Sequence, residues 1–149
     1  MNPQSKEGRD TIAMHDLFRK LLLKPSARAA LLFAPSDYPR TPADLPEGVQ
    51  LVDQQGIAGE PAHTFDFVHL FVSSTTELAQ RAPLALTAVK PGGLLWISYP
   101  KKSGKIKTDI HRDVGWDVVK AAGMEGVALI SVDQTWSAMR FRPVDRAGR

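Results

Sequence analysis

The sequence predicts an α/β fold, a mostly parallel sheet that ends in an antiparallel hairpin, and three observations carry that expectation. Three stretches of strand length, RAALLF at 28–33, DFVHLFV at 66–72 and LLWISY at 94–99, are almost continuously apolar, as strands covered on both faces must be. Helical segments alternate with strands along the chain, and strands alternating with helices become parallel neighbours joined by right-handed crossovers. The last two strands, VALISVD at 127–133 and WSAMRFR at 136–142, are separated only by Gln134 and Thr135. So short a link joins antiparallel strands.

In chain order the elements begin with MHDLFRKLLL at 14–23, which places Leu17, Phe18, Leu21 and Leu22 on one helical stripe. It stops at Lys24-Pro25, because a residue before proline is pushed out of the α region. The strand at 28–33 follows, then a short extended piece, VQLVD, at 49–53. DFVHLFV is dense in β-branched and aromatic residues, and Ser73-Ser74 behind it suits the cap of a helix over about 75–89. Pro83 inside that helix predicts a break or kink. KPGG at 90–93 is expected to turn the chain into the strand at 94–99. A polar loop, PKKSGKIKTDIHR, then leads to a helix at about 113–122, with Gly123 in the usual position for a glycine stop. The architecture is Rossmann-like.

Composition bounds the function. A chain of 149 residues suits one domain, expected over 12–144 with polar tails at 1–11 and 145–149. A domain of that size buries roughly 70% of the surface its unfolded chain would expose, enough for a core without staples. The chain has no cysteine, which removes disulfides, thiolate metal sites and a cysteine nucleophile and fits a reducing compartment. No apolar run approaches the roughly 20 residues of a membrane span, so a cytoplasmic protein without membrane contact is expected. A net charge of +3 is mild, and nucleic-acid binding is not expected from it.

FDFVHLF, VKPGGLLWISYPKKSGKIKTD, GWD and DQTWSAMRFRPV together resemble a small bacterial domain family of unknown function built on the class I methyltransferase fold. The resemblance spans roughly residues 17–144, and its specific parts are the PKKS loop and the DQTWSAMRFRP ending. It implies a methyltransferase-like fold and lineage, with no activity to carry over. In methyltransferases the first strand runs into a glycine-rich turn that admits S-adenosylmethionine, and a carboxylate ending the second strand binds the ribose hydroxyls. Here the first turn reads Phe33-Ala34-Pro35-Ser36-Asp37-Tyr38, without glycine and with Pro35 and Pro39 lacking donors. Asp53 ends the second strand, as a ribose ligand or simply as an aspartate that closes a turn. The segment between Asp53 and Asp66 is too short for a further helix and strand. No cofactor is therefore expected, with S-adenosylmethionine kept as the alternative.

In open parallel sheets, ligands sit outside the carboxyl ends of the strands. That gathers Asp37, Tyr38, Ser73, Ser74, Tyr99, Lys101, Lys102 and Lys105 as ligand-binding candidates. The loop at 100–112 carries Lys101, Lys102, Lys105, Lys107 and Arg112 against one acid, Asp109. It is either a solvated loop or an anion site. Ser103-Gly104-Lys105 lacks the full phosphate-loop pattern. His69, between Phe67 and Phe71 on alternate positions, reads as a packed core histidine. His15, His63 and His111 are too scattered for a metal, and neither Ser98 nor Ser131 has a nucleophile's surroundings. The expectation is a non-catalytic methyltransferase-like domain that binds a small anionic ligand or a protein partner at the carboxyl edge of its sheet. The alternative is a methyltransferase with an atypical cofactor loop.

Overall fold

The computed structural model describes residues 15–102 and 104–144, so the tails expected at 1–11 and 145–149, Met14 and Ser103 lie outside the described residues. A short helix α1 (Leu17–Lys20) precedes strands β1 (Arg28–Leu32) and β2 (Gln50–Asp53). A 3-10 turn at Gly56–Gly59 leads to β3 (Phe65–Phe71), helix α2 (Thr75–Ala88) and β4 (Val89–Pro100). Helix α3 (Asp117–Ala121) and the hairpin β5 (Met124–Ser131) and β6 (Trp136–Pro143) complete it.

These strands form one six-stranded sheet in the order β2-β1-β3-β4-β6-β5. Its first four strands are parallel, with Ala29 of β1 opposite Phe67 of β3 and Phe67 opposite Leu94 of β4. Strand β6 runs antiparallel to β4, and β5 antiparallel to β6. The α/β architecture expected from the sequence is the one observed, with the strands at Arg28 and Asp66 as neighbours.

Alternate residues of each strand feed two cores, one on each face. Ala30, Leu32, Val68, Leu70, Leu95 and Ile97 pack with Leu78, Ala82 and Ala85 of α2 and Val119 of α3. On the other face Ala29, Leu31, Phe67, Phe71 and Trp96 pack with Leu17, Phe18, Leu21, Tyr38 and Leu45. Among the described residues, that second face carries little helix. Among those residues, α1 and the loop after β1 supply most of its cover.

Several boundaries differ from expectation for local reasons. The first helix spans only Leu17–Lys20, because Leu22 adopts φ +63° and turns the chain. Leu22 is consequently exposed while Leu21 and Leu23 are buried. The carbonyl of Leu21 accepts a buried bond from Trp96 Nε1 at 2.9 Å, which fixes that turn on the sheet. Helix α2 runs unbroken through Pro83. Pro83 is exposed, so the carbonyl it leaves unbonded one turn back faces water. Residues 90–93 are not a turn before the strand but part of β4, where the register shifts opposite Phe65–Phe67. Gly92 takes φ +79° there, and a Cβ on Gly93 would lie 3.1 Å from the Asp66 carbonyl. Helix α3 begins later than expected because Gly115, at φ +101°, holds residues 113–116 in a loop. Gly123, at φ +85°, ends the helix as predicted. The link in the final hairpin is residues 132–135, longer than expected, and Asp133 Oδ1 accepts the amides of Thr135 and Trp136 at 2.8 Å each.

Candidate functional site

The sheet order reverses direction between β1 and β3, and the carboxyl end of that pair is the place where such folds open a crevice. Here Phe33 and Arg81 meet on the α2 side of the sheet, and a pocket of about 220 Å³ lined by His15, Pro35, Asp37, Tyr38, Phe71 and Asp133 opens on the other. Phe33 follows β1 at φ +59°, a left-handed conformation that bulky residues rarely adopt. Its amide donates to Gln54 Oε1 at 2.9 Å. Its ring stacks under the Arg81 guanidinium, 4.2 Å from the ring centre. Arg81 reaches across from α2 to donate to the Phe71 carbonyl at 3.0 Å and to Glu77 Oε1 at 3.3 Å. A guanidinium on an aromatic face that also holds a strand-end carbonyl is fixed in place. Asp53 is exposed, and its Oδ1 accepts the amides of Gln55 and Gly56 at 3.0 Å each, capping the 3-10 turn.

The loop after β1 is pinned from beneath. Asp37 is exposed, whereas Tyr38 is only 5% exposed and turns into the core. Its hydroxyl lies 3.0 Å from His69 Nδ1, and His69 Nε2 lies 2.6 Å from Ser98 Oγ. His69 and Ser98 are fully buried, so each finds its polar partner inside the protein. Burial depresses the His69 pKa to about 3 and raises that of Tyr38. Burial thus favours the neutral imidazole.

The start of α2 is equally occupied. Ser74 is the N-cap, its Oγ accepting the Glu77 amide at 3.1 Å, and Glu77 Oε1 accepts both the amide and the hydroxyl of Ser73. Asp109 arrives from the lysine-rich loop and accepts the Thr75 amide at 2.8 Å and its hydroxyl at 2.6 Å. Burial alone would raise the Glu77 pKa, but the bonds from Ser73 and the nearby Arg81 bring it below the ordinary range. The bonds from Thr75 lower that of Asp109. Protein carboxylates thus take the amides that could have met an anion.

Next to this region lies an open cleft of about 440 Å³, lined by Tyr99, Lys101, Lys102, His111, Arg112, Asp113, Val114 and Ser137. It forms where β4 ends and β6 begins, with Pro100 paired to Trp136. Tyr99 is 5% exposed and packs edge-on against Trp116 at 5.4 Å. Burial raises its pKa, with Arg112 opposing and Asp113 reinforcing the shift. Trp116 holds the loop by donating to the carbonyls of His111 and Arg112 at 2.8 and 3.1 Å. Lys101 is half-buried, its amide bonded to the Thr135 carbonyl and its Nζ to Ser131 Oγ at 2.6 Å. Lys102 and Lys105 are exposed, and Lys105 does not line the cleft.

The candidates from the sequence therefore separate. Tyr99, Lys101 and Lys102 come together in one cleft; Asp37 and Tyr38 line a smaller pocket with Asp133, Tyr38 also serving the core; Ser73 and Ser74 serve the cap of α2; Asp53 and Lys105 stand apart. His111, Arg112, Asp113, Val114 and Ser137 are the cleft residues that the sequence did not single out, although Arg112 belonged to the loop's excess of positive charge. Nothing in the sequence marked Arg81 as the partner of Phe33. Among the described residues there is no cluster of three or more acidic or histidine side chains able to hold a metal, and no helix long and apolar enough to cross a membrane.

Comparison with solved structures gives the fold its relatives. The chain is similar to an S-adenosylmethionine-dependent methyltransferase from Aquifex aeolicus, at 13% identity and a TM-score of 0.59 over 92% of this chain and 94% of that one. It is similar to DhpI, solved with SAH, at 13% identity and a TM-score of 0.55 over 87% of this chain and 81% of that one. A Pyrococcus horikoshii OT3 protein matches at 13% identity and a TM-score of 0.50, over 86% of each chain. The fold is methyltransferase-like. No family model and no curated protein matches the sequence.

Proposed function

We propose that the protein is a non-catalytic methyltransferase-like domain that holds a small anionic ligand in the cleft between the ends of β4 and β6. The observation that carries the reading is the cleft's lining, in which Lys101, Lys102, His111 and Arg112 face one carboxylate, Asp113. Partial enclosure lowers the local dielectric and strengthens each contact to an anion relative to the open surface. Lys101 is held by Ser131, so Lys102 and Arg112 are the side chains able to close on a ligand.

The switch-point crevice does not fit S-adenosylmethionine in the way the resemblance would place it. The Phe33 amide is taken by Gln54, its ring lies under Arg81, and one oxygen of Asp53 caps a turn. The second reading, an active methyltransferase, draws on the printed function of the Aquifex aeolicus neighbour. It would need Phe33 and Arg81 to part.

Titration of inorganic pyrophosphate, followed by amide chemical shifts, tests the anion site. Saturable shifts are expected at Tyr99, Lys102, Arg112 and Ser137. Charge-assisted contacts contribute about 1.5–3 kcal/mol each, so Lys102→Ala with Arg112→Ala should weaken binding at least tenfold without lowering the melting temperature. Shifts that never saturate, or that ignore the double substitution, would refute the site.

A further inference from the structure

The outer part of the sheet carries a second cavity beside the basic cleft. Helix α3 is only five residues long and covers little of the β5–β6 hairpin. It leaves a groove of about 660 Å³ whose apolar lining includes Trp116, Met124, Leu129, Met139, Phe141 and Val144. Leu129 is 45% exposed and Val144 39%, high values for large apolar side chains. The groove and the basic cleft share Arg112 and Asp113 as a common wall.

Strand register places the two cavities on the same face of β6, with the Trp116 ring packed on Tyr99 and Phe141 between them. Ser137 lines the cleft, while Met139 and Phe141 line the groove. Residues two apart on a strand project from the same face, so the three form one row along β6. At one end of that row stand Lys102, His111 and Arg112; at the other Met124, Leu129 and Val144 form an apolar surface, with Lys120 and Glu125 also in its lining. The groove's floor is also adaptable. A Cβ on Gly126 would lie 2.6 Å from Met139 Sδ, so the flexible thioether chain rests on bare backbone and can shift along it.

We infer that the occupant of this row is a single-chain amphipathic anion, with a phosphate or carboxylate headgroup in the basic cleft and an apolar tail along β6 over Met139 and Phe141. The inference rests on the anion site proposed above and adds the tail. Charge and apolar surface are separated along the row as they are along such a molecule, and a concave apolar site with a few polar groups at one end is the usual form of a small-molecule pocket. Arg112 pairs with Asp113 at 3.1 Å, and both side chains are more than two-thirds exposed, at 69% and 75%. A headgroup can therefore take Arg112 from Asp113 at little cost, because exposed pairs contribute little.

Calorimetric titration with inorganic phosphate, butyl phosphate, octyl phosphate and octanol, each below its micellar concentration, tests the inference. Affinity should rise by about tenfold for every two methylenes added until the groove is filled. Leu129→Gln, at an exposed position, should remove at least fivefold of the octyl advantage and leave phosphate binding unchanged. Lys102→Ala with Arg112→Ala should weaken phosphate and octyl phosphate alike. Equal affinities across the phosphate series would overturn the tail and leave the anion site standing. Binding of octyl phosphate that ignores Leu129→Gln would overturn it too, since the tail would then lie elsewhere. If none of the phosphates binds, both proposals fail. A wild-type dimer that Leu129→Gln dissociates would show a second copy of the chain on the groove, and would also overturn it.

Discussion

His69 sits in β3 with Nδ1 on Tyr38 and Nε2 on Ser98, and its pKa is depressed to about 3 because burial disfavours the charged ring. In the unfolded chain it titrates near the ordinary histidine value of about 6.5. The unfolded state therefore binds a proton first as pH falls. The contribution of His69 to stability is complete above about pH 6.5 and should decline between there and about pH 3, by up to about 1.4 kcal/mol for each pH unit. Urea unfolding at about pH 7.5 and pH 5 should differ by about 2 kcal/mol, and His69→Gln should abolish most of that difference. An unchanged difference in the variant would assign the acid sensitivity to other groups. At this scale the sequence was partly legible. Phe67 and Phe71 on either side marked His69 as a core residue, but its partner Tyr38 comes from a loop whose path depends on the whole fold. Phe33 at φ +59° was not legible at all, since its residue type argues against that conformation.

Helix α2 illustrates the same division among elements. Its cap is local, Ser74 with Glu77 three positions on, and the Ser-Ser pair after an apolar strand announced it. Asp109, which takes the Thr75 amide and hydroxyl, comes from 34 residues away and carries no local signal. Ser74→Ala removes the acceptor for the Glu77 amide and should cost about 1 kcal/mol, measurable as a lower urea midpoint with an unchanged slope. A cost near zero would mean that Glu77 and Asp109 suffice to hold the helix start. The first helix was overread because four hydrophobic positions at helical spacing also fit a short turn of helix followed by a reversal at Leu22. Periodicity reports which residues are buried; here Leu17, Phe18 and Leu21 are, and Leu22 is not.

At the scale of the molecule, alternating strands and helices and a short C-terminal link were enough to anticipate a parallel sheet with an antiparallel end, because connection length and handedness leave few other arrangements. The state of the carboxyl edge was harder to foresee. Missing glycines after β1 signalled that the usual turn had changed, but how the space is filled depends on Arg81, Gln54 and Phe33 meeting from three elements. Under the proposed function, this meeting keeps S-adenosylmethionine out of the crevice. Isothermal calorimetry with S-adenosylmethionine and SAH on the full chain tests it most directly. The account predicts no saturable heat with either compound at concentrations up to about a hundred times those that saturate typical micromolar sites. A dissociation constant in the low micromolar range, lost on Asp53→Ala, would contradict it.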